Sequence, residues 1–125
     1  MKDEKAKGEF RIRLYRYIIR LLKFLVRLPN GPVIREIKSQ LTRSGTSVGA
    51  NYFEARGASS KKDFRNYFNI ALKSANETLF WLSILKDAGF ILREYEKEHQ
   101  YLIAETKEIA KILASSILTM KRKGN

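Results

Sequence analysis

The run Gln40-Leu-Thr-Arg-Ser-Gly-Thr-Ser-Val-Gly-Ala-Asn-Tyr-Phe-Glu54, followed after a short break by Ser59-Ser-Lys-Lys-Asp-Phe64, decides how the chain folds. Ile34, Ile37, Leu41, Val48, Tyr52 and Ala55 recur at helical spacing and predict an apolar helix face over roughly residues 33–56. Beside it runs a polar row at the same spacing: Gln40, Arg43 or Ser44, Ser47, Asn51 and Glu54. Gly45, Ser47, Gly49 and Ala50 weaken helix propensity and allow another element to approach closely.

After Gly57-Ala58, the sequence Ser60-Lys-Lys-Asp63 resembles a capping box, so a second long helix is expected over 61–88, stopped at Gly89. One of its rows is apolar, Phe64, Phe68, Ala71, Ala75, Leu79 and Leu82. The neighbouring row, Tyr67, Ile70, Ser74, Glu77, Trp81 and Ile84, carries two polar members. A short turn makes the two helices antiparallel, which brings Arg43 opposite Ser74 and Glu77 and predicts a partly buried Arg43–Glu77 pair. Glu54 falls near Lys62 and Asn51 near Arg65 in the same register.

The row Gln40, Arg43, Ser44, Ser47, Asn51, Glu54, Ser74 and Glu77 is either a two-carboxylate site or a fastening between helices. Glu54 and Glu77 lie about four turns apart along the hairpin, too far for joint acid–base work, so the row is read as a hydrogen-bonded fastening.

Outward from this pair, a helix over 8–28 is ended by Pro29-Asn-Gly-Pro32. Phe10, Leu14, Tyr17, Leu21, Leu25 and Leu28 form one apolar stripe, and Ile12, Tyr15, Ile19, Leu22 and Val26 a second on another side. One stripe reaches the core; the second needs another cover, and a further copy of the chain is the simplest one. Between the stripes run Arg13, Arg16, Arg20, Lys23 and Arg27. The bland reading of that row is a solvated face. A single-sign row carries i,i+4 repulsion that a mixed one avoids, which favours an anion-binding ridge. A fourth helix is expected over 93–121 with Tyr95, Leu102, Ile109, Leu113, Ser116, Ile117 and Met120 inward, His99 partly exposed, and Lys121, Arg122 and Lys123 assisting the ridge.

The 125 residues support one domain, 1–125, of all-α, antiparallel up-down four-helix architecture. There is no cysteine, and one histidine without companions is no metal site. With no cofactor-binding loop or nucleophile constellation, the chain is expected to be no enzyme and to need neither cofactor nor metal. No leader or membrane span is expected, which places the protein in the cytoplasm. The net charge of +12 favours RNA or DNA as partner; half of the excess lies in residues 1–28, with nine basic and three acidic side chains.

Gln40-Leu41, Arg43-Ser44, Thr46-Ser-Val-Gly-Ala-Asn51, Glu54-Ala55, Ser59 to Phe64, and Ile70-Ala-Leu-Lys-Ser-Ala-Asn-Glu77-Thr-Leu with Trp81-Leu resemble the four-helix bundle proteins encoded in intervening sequences of bacterial large-subunit ribosomal RNA. This resemblance covers about residues 30–92. It implies a ring-shaped homopentamer and kinship with accessory variability proteins of diversity-generating retroelements, basic pentamers that bind nucleic acid and a reverse transcriptase. Those relatives generally lack the Arg-Ser…Ser-Val-Gly-Ala-Asn signature, which sets this chain nearer the intervening-sequence branch. The expected function is phosphate-directed nucleic-acid binding with little sequence preference; the alternative is a scaffold or accessory subunit whose true partner is a protein.

Overall fold

A computed structural model describes residues 2–123. Among them are four α-helices, α1 (Lys2–Val26), α2 (Pro32–Glu54), α3 (Lys61–Asp87) and α4 (Glu96–Arg122), with 3-10 turns at Ala55–Gly57 and Arg93–Tyr95 and no strand. Each helix packs on the next, and α4 returns to α1. The closely packed part is α2, α3 and α4, with α1 laid against its open side.

The punctuation is local. Gly31 adopts a positive φ of 148° ahead of Pro32, which opens α2. Ser60 accepts a hydrogen bond from the Asp63 amide at 3.0 Å, while the Asp63 carboxylate accepts from the Ser59 amide at 3.0 Å, so both groups hold the start of α3. At the other end Gly89 has φ 80°, and the Phe90 amide reaches back to the Leu85 carbonyl at 2.9 Å, the left-handed stop expected there. Helix α1 begins six residues earlier than the expected Gly8, because Glu4, Lys5, Ala6 and Lys7 are strong helix formers that outweigh the cost of Gly8 in the interior.

The core is one cluster. Leu14, Tyr17, Leu21 and Leu25 of α1, and Leu28 just beyond its end, are buried in it as their stripe predicts, with Phe10 half-buried at its edge. Phe24, in neither predicted stripe, is buried too. Two polar positions were missed in α4: His99 and Thr106 are buried, against the expected exposure of His99. The His99 Nε2 lies 2.7 Å from the Leu82 carbonyl, which can only accept, so this nitrogen carries the proton. Thr106 donates to the Leu102 carbonyl at 2.5 Å, which leaves its oxygen to accept from the Tyr17 hydroxyl at 2.5 Å. Burial pushes the Tyr17 phenol well above its ordinary range, so it remains a donor.

The small residues of α2 serve α1. A methyl group built on Gly45 would sit 2.3 Å from the Leu21 Cδ2, and one on Gly49 would sit 2.3 Å from the Ile18 Cδ1. Leu21 is wholly enclosed, while Ile18 is half-buried and can swing its terminal carbon aside. Gly45→Ala is therefore expected to lower stability by about 1–2 kcal/mol after its gain in helix propensity, and Gly49→Ala by less than about 0.5 kcal/mol, read as a difference in urea midpoints. Equal midpoints for the two variants would contradict the close seating of Leu21.

Candidate nucleic-acid interface

The polar row of α2 and α3 is assembled much as its spacing predicts. The Ser44 and Thr78 hydroxyls share a bond of 2.9 Å, and those of Ser47 and Ser74 one of 2.7 Å. Asn51 turns its amide nitrogen back on its own helix, donating to the Ser47 carbonyl at 2.9 Å. Arg43 pairs with Glu77 and also donates to the Gln40 side chain at 2.8 Å; Glu77 in turn accepts from the Trp81 indole at 3.2 Å. This pair forms at the surface, since the Arg43 side chain keeps 59% of its exposure. Glu54 is exposed and has no part in these bonds. Every buried side-chain polar atom among the described residues has a partner, which is what a fastening requires.

On α1 the five basic residues divide into two kinds. Arg13 forms a two-pronged pair with Glu105 of α4 at 2.6 and 2.8 Å, and Arg20 forms another with Glu98 at 2.9 and 2.6 Å. The Arg20 guanidinium also lies 3.5 Å over the centre of the Tyr101 ring. The hydrogen bonds that both guanidiniums donate to these glutamates raise the arginine pKa values above their ordinary range. Arg16, Lys23 and Arg27 are exposed and have no partner among the described residues. The ridge of five expected from α1 alone is thus a row of three, flanked by two arginines committed to α4. That division could not be read from α1, because it depends on which helix lies beside it.

Nor do Lys121, Arg122 and Lys123 extend that row, although all three are exposed. Arg13 facing Glu105 and Arg20 facing Glu98 set the antiparallel register, which carries Lys121 past the start of α1, roughly 45 Å along the bundle from Arg27 at about 1.5 Å per residue. The terminal cluster belongs to the opposite end of the molecule. There it adjoins Lys7, Arg11 and Arg56 around a groove of about 640 Å³ that sequence reasoning did not find. No single stretch signals this groove, since its lining comes from all four helices and the turn between α2 and α3.

Next to Arg16, Lys23 and Arg27, the second apolar stripe of α1 faces outward: Ile12 is 53% exposed, Tyr15 60%, Ile19 36% and Val26 81%, with Leu22 half-buried beside them.

The model of the 23S rRNA-intervening sequence protein family matches residues 14–115, a span from the first buried turn of α1 to the last turns of α4. The chain belongs to this family. Among solved structures, the chain is similar to a protein of unknown function from the S23 ribosomal protein family of Bacteroides thetaiotaomicron VPI-5482. The two are 42% identical with a TM-score of 0.67, over 90% of this chain and 95% of that one. No curated protein matches the sequence. Among the described residues no helix is long and apolar enough to cross a membrane.

Proposed function

We propose that this protein is a non-enzymatic, oligomeric bundle that binds RNA or DNA through phosphate contacts with little sequence preference. The observation that carries this reading is the row Arg16, Lys23 and Arg27, three exposed cations on one flank of α1 without a carboxylate to satisfy them. Guanidinium forks suit phosphate oxygens, and repetition of three contacts around a homo-oligomeric ring turns a weak site into a firm one by avidity. The family's name, which ties it to intervening sequences of 23S rRNA, makes RNA the first ligand to test. Of the two related branches the resemblance suggests, the retroelement accessory proteins supply a precedent for a basic pentamer of this kind.

A salt titration tests the reading. Affinity for a duplex should fall on a log–log plot with a slope of roughly 0.9 for each phosphate neutralised, and binding that ignores salt sinks it. A sharper form uses the committed arginines. Glu98→Gln with Glu105→Gln should release Arg20 and Arg13, raising affinity about 3–10-fold and steepening the salt slope by roughly 1–2. Stability should fall by only about 0–1 kcal/mol per pair, because both arginines are more than 40% exposed. Unchanged affinity in that double variant would remove α1 from the interface.

The same two pairs favour one competing partner. Arg13 and Arg20 already grip carboxylates with two-pronged geometry, so an acidic protein surface, such as that of a reverse transcriptase, fits the remaining cations as well. Capture from nuclease-treated lysate separates the two: a protein partner persists, and one bridged by RNA is lost.

A further inference from the structure

The groove at the end of the bundle holding the start of α1 and the end of α4 has a floor of aromatic rings and a rim of one sign. Phe10 meets Tyr52 edge-on with ring centres 5.1 Å apart, Tyr52 leans on Phe68 at 5.5 Å, and Phe68 stacks on Phe64 at 5.0 Å. Among the described residues that line this groove, every charged side chain is cationic: Lys7, Arg11, Arg56 and Lys123. It continues into a hollow of about 390 Å³ that adds Lys61 and again no carboxylate. An apolar floor alone would suit any greasy group. Four cations around it select an amphiphile whose flat, apolar part carries negative charge at its edges.

We propose that this groove takes an unpaired base of a single-stranded nucleic acid, with the flanking phosphates on Lys7, Arg11, Arg56 and Lys123. The proposal rests on the nucleic-acid reading above and adds a distinct mode to it, because a phosphate row on α1 is indifferent to bases while an aromatic floor is not. Size agrees: about 640 Å³ lies within the roughly 300–1,000 Å³ that houses a small organic group. A protein partner would instead require a footprint of about 20–30 residues a side. The polar atoms of the wall suit the edges of a base. Burial raises the Tyr52 phenol pKa although Arg11 pulls it the other way, so the hydroxyl remains a donor. Ser115 and Thr119 offer further hydroxyls, while that of Ser116 already donates to the Ile112 carbonyl at 2.9 Å.

Fluorescence anisotropy on the full chain tests the assignment with three labelled probes of equal phosphate count: an eight-nucleotide oligouridine strand, the same strand without bases, and a short duplex. The base-bearing strand is expected to bind about tenfold more tightly than the abasic one, the scale of a single base–aromatic stack. Phe10→Ala should erase that preference while leaving affinity for the abasic strand unchanged. Arg56→Gln with Lys123→Gln, both exposed and outside the core, should weaken the two strands together. Equal affinity of the wild-type protein for the base-bearing and abasic strands overturns the assignment and leaves an acidic amphipathic segment of a protein as the occupant. If the strands bind equally but with a steep salt dependence, only the groove assignment falls. If none of the probes binds, the phosphate reading falls with it.

Discussion

Placing aspartate at both Ile19 and Val26 is expected to convert an assembly several times the subunit mass into a 14.5 kDa monomer that keeps its helical circular dichroism. Both side chains stand on the outer stripe of α1, where Val26 is 81% exposed, so neither change touches the core. Burying what remains exposed of Ile12, Tyr15, Ile19 and Val26 would contribute about 3–7 kcal/mol, since each is already partly covered and a fully exposed side chain would contribute about 1.5–3 kcal/mol. Association itself costs about 4–15 kcal/mol, so the margin is small, and two carboxylates buried without partners should weaken it by at least about a thousandfold. In the proposed assembly, the opposite side of the bundle bears on how copies would meet. Helix α3, diagonal to α1, carries Phe80 at 54% and Ile70 at 38% exposure. A two-fold dimer joined through α1 would leave those two in water, whereas a head-to-tail contact covers both faces and closes into a ring, as the pentamer implied by the family resemblance requires. Phe80→Asp is accordingly expected to dissociate the assembly as well. Multi-angle light scattering at micromolar concentration decides: a wild-type monomer refutes the assembly, and an unchanged mass for Phe80→Asp refutes the head-to-tail arrangement.

Much of the α2–α3 hairpin was legible because its signals are local. The Ser60 cap, the Gly89 stop and the Arg43–Glu77 pair each follow from spacing within one helix or from counting outward from one short turn. The buried polar positions of α4 were legible in principle: Tyr95, His99, Leu102, Thr106, Ile109 and Leu113 keep the alternating four- and three-residue step of a core stripe, and only the polarity of His99 and Thr106 hid them. Phe24 was hidden differently, since it shares a flank with Arg20 and Arg27, where a count by charge assigns the face to solvent. The committed state of Arg13 and Arg20 lies beyond any reading of α1, because Glu105 and Glu98 are 92 and 78 residues away and reach them only once α4 closes the bundle. The terminal groove is less legible still, for its lining comes from all four helices and the turn between α2 and α3.

Reversing the three free cations, Arg16→Glu, Lys23→Glu and Arg27→Glu, should have the largest effect on nucleic-acid binding, whereas Arg13→Gln with Arg20→Gln should have little. The first set swaps three phosphate contacts per chain for three repulsions. A loss on the order of a thousandfold at low salt is expected, together with a fall of about 3 in the salt slope for each chain engaged on duplex DNA. Stability should barely change, since all three side chains are exposed and unpaired among the described residues. The second pair removes charges that Glu105 and Glu98 already neutralise, so affinity should shift by less than about threefold, with at most about 1 kcal/mol lost from each surface pair. If net charge alone drove binding, losing two of the protein's positive charges would weaken it whatever their surroundings, and the Gln variants would fall in proportion. A site built from free cations predicts a steep difference between the two sets. Comparable losses in both would return the basic face of α1 to the role of a solvated surface.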